Sequence, residues 1–198
     1  MHRVAVALFT LALTQPAHAF ELINPLSVIS NAVEAAVEDR SGEDIAADTK
    51  LKVDIVATIS DKMGSDVASV STDVYEQDVM LTGVVETGAQ KTQAGKIAQN
   101  AKTAKKVYNE ILVIPKTDEG KGAVEGFVDD TVIEKKINAL LLDAKGVNVT
   151  NFRWRSVGGH AFLFGRALSK AELNKAIAVV KDIKGVTKVT ARVKVRAK

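Results

Sequence analysis

Apolar residues recur at two spacings along this chain, and the switching between them lays out its elements. Leu51, Ile55, Ile59 and Met63 fall on one face of a helix, which Asp48 or Thr49 is placed to cap and Gly64 to end. Alternation then takes over. Val70, Thr72 and Val74 share one side of a strand-like segment at 67–75, and Val79, Leu81, Gly83 and Val85 match them on a second at 79–86. Only Glu76-Gln77-Asp78 lies between, which is hairpin length. Helical spacing returns over Ala89–Lys102, turning Ala94, Ile97, Ala98 and Ala101 inward, and a last strand brings Val107, Asn109, Ile111 and Val113 to the core. The order is α-β-β-α-β.

The series then repeats 82 positions later. Ile137 stands where Ile55 stood, Leu163 for Leu81, Gly165 for Gly83, Val189 for Val107, and Val193 and Val195 for Ile111 and Val113. A fixed period with matching apolar positions marks an internal repeat. In the second copy Asp129 and Asp130 open a helix with Ile133, Ile137, Leu140 and Leu141 inward, and Gly146 closes it. Strands at 149–157 and 161–167 meet at Gly158-Gly159, a turn suited to positive φ. Ser169 caps the second helix, with Glu172 three residues on completing a capping box. The expected fold class is α+β: two αββαβ modules, at 48–115 and 126–198, each a three-stranded mixed sheet with two helices on one face. A linker at 116–125 follows Pro115 and is broken by Gly120 and Gly122.

Ahead of the modules, His2 and Arg3 precede an apolar run at Val4–Leu13, and Pro16-Ala17-His18-Ala19 ends in the small-x-small pattern of a signal-peptidase site. Residues 1–19 are therefore expected to be a cleaved signal peptide, the apolar run being too short to span a bilayer. Leu26, Ile29, Val33 and Val37 predict a weakly amphipathic helix at Leu26–Glu38 that packs on a module, and 40–48 reads as a loop. The chain has no Cys, which excludes disulfides, thiolate chemistry and a lipid-modified cysteine.

Charge separates the copies. Residues 48–115 hold eight basic and nine acidic side chains, whereas 126–198 hold fifteen basic and six acidic. Such asymmetry points to an anionic partner for module two. With both helices on one side, each sheet is expected to leave its other face open, where Phe162 and Phe164 are expected to contact module one or a second copy rather than insert into lipid. In module two that face carries Arg153, Arg155, Phe162, Phe164, Arg166, Arg192 and Lys194; in module one it carries Asp73, Tyr75, Met80, Thr82, Val84, Tyr108, Glu110 and Leu112. Trp154 shares parity with Phe152 and is expected to fill the core.

Several of these residues carry a resemblance. Asp48 and Asp130 before the first helices, Val79-x-Leu81-x-Gly83 with Ala161-x-Leu163-x-Gly165, and the closing Val107-x-Asn109-x-Ile111-x-Val113 resemble the BON domain, named for osmotically inducible and nodulation proteins of bacteria. The signature is split between the copies. The second keeps Gly159 and Gly185-Val186, where the first has Gln77 and Thr103-Ala104, and the first keeps Asn109, where the second has Ala191. The resemblance covers about Asp39 to Val195. It implies the αββαβ fold, a periplasmic place in peripheral association with the outer membrane, and a role in osmotic or envelope stress. It also implies binding of anionic phospholipid through the second helix of module two. Lys170, Lys175, Lys181 and Lys184 decorate that helix and the turn after it. The family's outer-membrane member is a lipoprotein, which this chain, without Cys, does not match.

Three other readings stand beside that one. Beside the helix lysines, Arg153, Arg155 and Arg166 offer a second basic surface for lipid on the sheet. In a scaffold that docks on an outer-membrane or periplasmic protein or glycan, or on a second copy of the chain, the charge excess would simply keep an exposed surface solvated. Basic side chains with aromatics on a small sheet also suit single-stranded nucleic acid, but the signal peptide and the lack of an RNP-like run or GxxG clamp oppose it, so no nucleic-acid partner is expected. No enzyme, cofactor or metal site is expected either. Ser156 and His160 lack an acidic orienter, His160 reads as a solvent-facing turn residue, and Asp129/Asp130 read as helix-start charges.

Overall fold

The computed structural model describes residues 39–64, 69–115 and 124–196, of which 124–129 by backbone alone. The leader, the Leu26–Glu38 segment and linker residues 116–123 lie outside the described residues. The architecture is α+β, two αββαβ modules in tandem.

Module one begins with α1, Gly42–Met63, which starts earlier than the apolar spacing predicts. Ser41 is its cap: the Oγ accepts the Asp44 N–H at 3.1 Å, and Glu43 and Asp44 oppose the positive end of the helix dipole. Residues 42–48, expected as a loop, are therefore helical, and Asp48 lies inside the helix. Strands β1, Ser71–Tyr75, and β2, Asp78–Thr82, pair antiparallel from Ser71↔Thr82 to Tyr75↔Asp78. Strand β2 stops before Gly83 (φ 114°), where a Cβ would meet Ser69 O at 2.1 Å and only glycine fits, and the chain resumes as β3, Val84–Val85. Helix α2, Gly88–Gln99, opens on a complete Thr87–Gln90 capping box. It leads to β4, Lys106–Asn109, parallel to β2, and β5, Leu112–Val113, parallel to β3.

Module two repeats the plan with α3, Val124–Asp143, a short 3-10 turn at Val149–Asn151, and β6, Phe152–Val157. Then follow β7, His160–Ala167, α4, Lys170–Lys181, and β8, Lys188–Val195, in sheet order β6-β7-β8 with β8 parallel to β7. Helix α3 already includes Asp129 and Asp130, so the two acids do not open it. Ser169 caps α4 as expected, its Oγ accepting the Glu172 N–H at 3.1 Å. The Glu172 carboxylate does not close a box on Ser169, however. It accepts the N–H of Leu168 and of Asn148, each at 2.6 Å, and so ties the end of β7 to the loop after α3.

Each module has its own core between helices and sheet: Leu51, Ile55, Leu81 and Ile111 in the first, Ile137, Phe152, Leu163 and Val180 in the second, with Trp154 against the latter. A third cluster lies between the modules. It joins Tyr75 and Met80 to Val157, Phe162 and Phe164, with Val84, Tyr108 and Leu112 against them. The sheet faces expected to be open are thus packed on each other. The physical reason is the composition of both faces: apolar centres that gain by leaving water, ringed by opposite charges.

Candidate functional site

The module-two sheet face is built from β6, β7 and β8, which set Arg153 and Arg155, then Phe162, Phe164 and Arg166, then Arg192 and Lys194 side by side. Phe162 is 0% and Phe164 2% exposed, and Tyr108 meets Phe164 edge-on with ring centroids 6.1 Å apart. Around them run ion pairs from module two to module one. Arg155 Nη2 lies 2.9 Å from Asp73 Oδ1, Arg166 Nη1 2.6 Å from Glu76 Oε1, Lys194 Nζ 2.9 Å from Asp78 Oδ2, and Arg192 Nε 2.6 Å from Glu110 Oε1. Asp39 adds its carboxylate to Arg166 and Arg196. The Arg40 guanidinium lies 4.0 Å above the Tyr75 ring and Arg153 5.7 Å from its centroid. On this face the basic side chains of module two therefore meet acidic side chains of module one.

Titratable groups on and beside this face are shifted by their surroundings. The Glu134 carboxyl is held above its ordinary range, mainly by burial, with Asp73 and Asp130 adding to the rise and the Ser156 N–H and Arg155 opposing it. Asp73 holds the Arg155 guanidinium firmly protonated against the effect of burial. His160 is not a solvent-facing turn residue. It stacks on Phe162 at 4.0 Å, shares a 2.8 Å hydrogen bond with Thr190 Oγ1, and is held below its usual pKa by burial and by Lys188, with Glu110 opposing.

Asp48 and Asp130 hold hairpin turns. Asp48, 4% exposed, accepts the N–H of Glu76 and Gln77 at 2.7 and 2.8 Å and the Gln77 side-chain amide at 2.8 Å, and pairs with Arg40. Asp130 accepts the N–H of Gly158 and Gly159 at 2.6 and 2.9 Å and the Ser156 hydroxyl at 2.6 Å. Ser156 is thereby part of a turn clamp, while His160 bonds elsewhere. Among the described residues no group of His, Asp or Glu could hold a metal, and no helix is long and apolar enough to cross a membrane.

The second candidate surface is the outside of α4 and the turn after it. Lys170, Lys175, Lys181 and Lys184 are all exposed, and none has a carboxylate partner among the described residues. Lys175 Nζ donates to the Lys145 carbonyl. The structure therefore separates two groups that are simply basic in the sequence. The sheet arginines are paired; the helix lysines face solvent. Sequence reasoning missed the turn clamps, and it placed Phe162 and Phe164 against module one or a second copy without extending that contact to the arginines around them, although charges of opposite sign 82 positions apart were a usable signal.

A family model of the BON domain matches residues 47–115 and again 129–197. The chain is 31% identical over 129 residues to an uncharacterized protein in the gshII 5'region of Anaplasma centrale, covering 65% of this chain and 83% of that protein. It is 30% identical over 147 residues to osmotically-inducible protein Y of Escherichia coli (strain K12), covering 74% and 70%. Among solved structures, CdsD, a structural protein of the Type III secretion system of Chlamydia trachomatis, aligns at a TM-score of 0.31 and 13% identity over 75% of this chain. This chain spans 63% of that one, and the likeness says nothing of function.

Proposed function

Two BON domains in tandem make this chain a member of the BON-domain family, and from that membership we propose a non-catalytic periplasmic protein of osmotic or envelope stress. Its α4 face docks on the anionic phospholipid of the outer membrane. The relative named as osmotically inducible supports the stress role, and the signal-like leader supports export. One observation carries the lipid reading: with the sheet faces closed on each other, Lys170, Lys175, Lys181 and Lys184 are exposed along one helix and its following turn, without a carboxylate partner among the described residues. Each such lysine contributes about 1 kcal/mol at an anionic surface. Four give about 4 kcal/mol, a dissociation constant on the order of millimolar, so docking is reversible and sensitive to salt. Phe162 and Phe164 lie under module one and supply no insertion while the modules are closed. The same closure covers the platform on which nucleic-acid bases would stack.

Sedimentation of residues 20–198 with neutral and anionic liposomes, at low and moderate salt, tests this. Binding to anionic vesicles alone is expected, weakened by salt and lost in Lys175→Glu/Lys181→Glu. In Arg153→Glu/Arg166→Glu the expected change is in stability, since Arg166 holds Glu76 and Asp39. No binding at low salt would sink the lipid reading in favour of docking on an envelope protein or glycan.

A further inference from the structure

The contacts between the modules join equivalent positions. Asp73 meets Arg155 and Glu110 meets Arg192, and each pair is one repeat of 82 residues apart. Tyr75 and its equivalent Val157 share the apolar cluster. Contacts of residue i with its own equivalent are those of a two-fold interface between identical subunits, here formed within one chain. Lys52 and Glu134 are a third equivalent pair. Lys52 Nζ lies 3.9 Å from Asp73 Oδ1, and Glu134 accepts the Ser156 N–H at 2.9 Å and lines one small cavity with Arg155 and Ser156. The row Lys52, Asp73, Arg155, Glu134 therefore alternates in sign across the pseudo-two-fold axis.

We infer that these three position pairs are a pairing code: the sheet face of module one accepts a module two and rejects another module one. If the same face joined two first modules, Asp73 would meet Asp73 at the axis and Glu110 would meet Glu110. Two second modules would bring arginine to arginine at both places. Only the unlike pair alternates, and like charges set directly opposite one another suppress the wrong partner. The code explains why the modules differ in sign on this face although their apolar patterns match. It assigns the second module's sheet arginines to recognition of module one. The partner it specifies is a complementary module, which the tandem chain carries itself.

Full-length charge exchange tests the code without any lipid. One variant, Lys52→Glu/Asp73→Arg/Glu110→Arg, makes the axis basic on both sides. The other, Glu134→Lys/Arg155→Asp/Arg192→Glu, makes it acidic on both. Each keeps the local pairing within its own module and faces like with like between modules. Small-angle scattering at low salt is expected to show a larger radius of gyration for each alone than for the wild type. Mixed in equal amounts, the two are expected to form a 1:1 complex by native mass spectrometry, each module one seated on the other chain's module two. All six substitutions in one chain are expected to restore the wild-type radius, which decides the matter even where a triple variant folds poorly. A wild-type radius in either triple variant, no complex on mixing, or no recovery in the sixfold variant overturns the inference.

Discussion

Module one makes its hairpin turn from Glu76 and Gln77, at φ 52° and 63°; module two makes the same turn from Gly158 and Gly159, at φ 58° and 76°. Both are the tight two-residue turn whose central residues need positive φ, which costs a residue with a side chain roughly 1–2 kcal/mol. Both are held by an aspartate in the preceding helix. The difference teaches how one fold tolerates two sequences: where glycine is absent, the clamping aspartate holds more partners. Asp48 adds the Gln77 amide and the buried Arg40 to the two turn amides, whereas Asp130 adds one hydroxyl.

Removing the clamps sharpens that comparison and gives the largest effect. Asp48→Ala removes the ion pair with Arg40 and leaves two positive-φ residues without an anchor, so a loss of about 3 kcal/mol is expected. Asp130→Ala leaves a turn that glycine accepts without strain, and about 2 kcal/mol is expected. Urea denaturation of both variants measures the difference, and Gln77→Gly in the Asp48→Ala background should return about 1 kcal/mol. Equal losses at the two aspartates would mean that turn strain does not set the strength of the clamp.

The apolar centre of the interface comes next. Phe162 and Met80 are equivalent positions, both fully buried between the modules. Phe162→Ala is expected to cost about 3 kcal/mol through the cavity it leaves, and Met80→Ala slightly less, because Met is the more adaptable filler. Both should also weaken docking of one module on the other, seen as a second unfolding transition in calorimetry. A single unshifted transition in Phe162→Ala would show that the face contributes nothing to the assembly.

The element order of each module was legible because apolar spacing is a local signal, period 3.6 and period 2 repeated at 82, although α1 and α3 begin earlier than that spacing places them. What was not legible depends on long-range geometry. Asp48 and Asp130 look like helix caps until the turn they hold is placed beside them. The split family signature has a similar cause. A Cβ at Gly159 would meet Gly185 O at 2.6 Å, so the glycine turn and Gly185 go together, as Gln77 and Thr103 do in module one. A Cβ at Gly95 would meet Asn109 Nδ2 at 2.5 Å, while module two has Ile177 and Ala191 at those places, a large residue and a small one exchanged. Each departure is compensated across space. Contact of Phe162 and Phe164 with module one was legible from their apolar character, but the basic rim around them was read as a free surface because parity shows which residues share a face and not what covers it.

The smallest effect compares two titrating groups beside the same interface. His160 has its pKa lowered from 6.5, by burial first and by Lys188 second, against a pull from Glu110. Below 6.5 the unfolded chain therefore binds more protons than the folded one, and stability falls as pH drops through 6.5 toward the lowered folded value. Glu134 has the opposite sign. Burial raises its pKa from 4.5, so the cost of its buried charge is present at neutral pH and is lifted as pH falls through the raised value toward 4.5. Urea midpoints from pH 7.5 to 4.5 separate the two when wild type, His160→Gln and Glu134→Gln are run together, since the remaining carboxylates contribute the same background to all three. His160→Gln should flatten the decline below 6.5, and Glu134→Gln should remove the partial recovery at lower pH. An unchanged slope in His160→Gln would mean that the imidazole takes up its proton with Phe162 still stacked on it, leaving the interface closed through the titration.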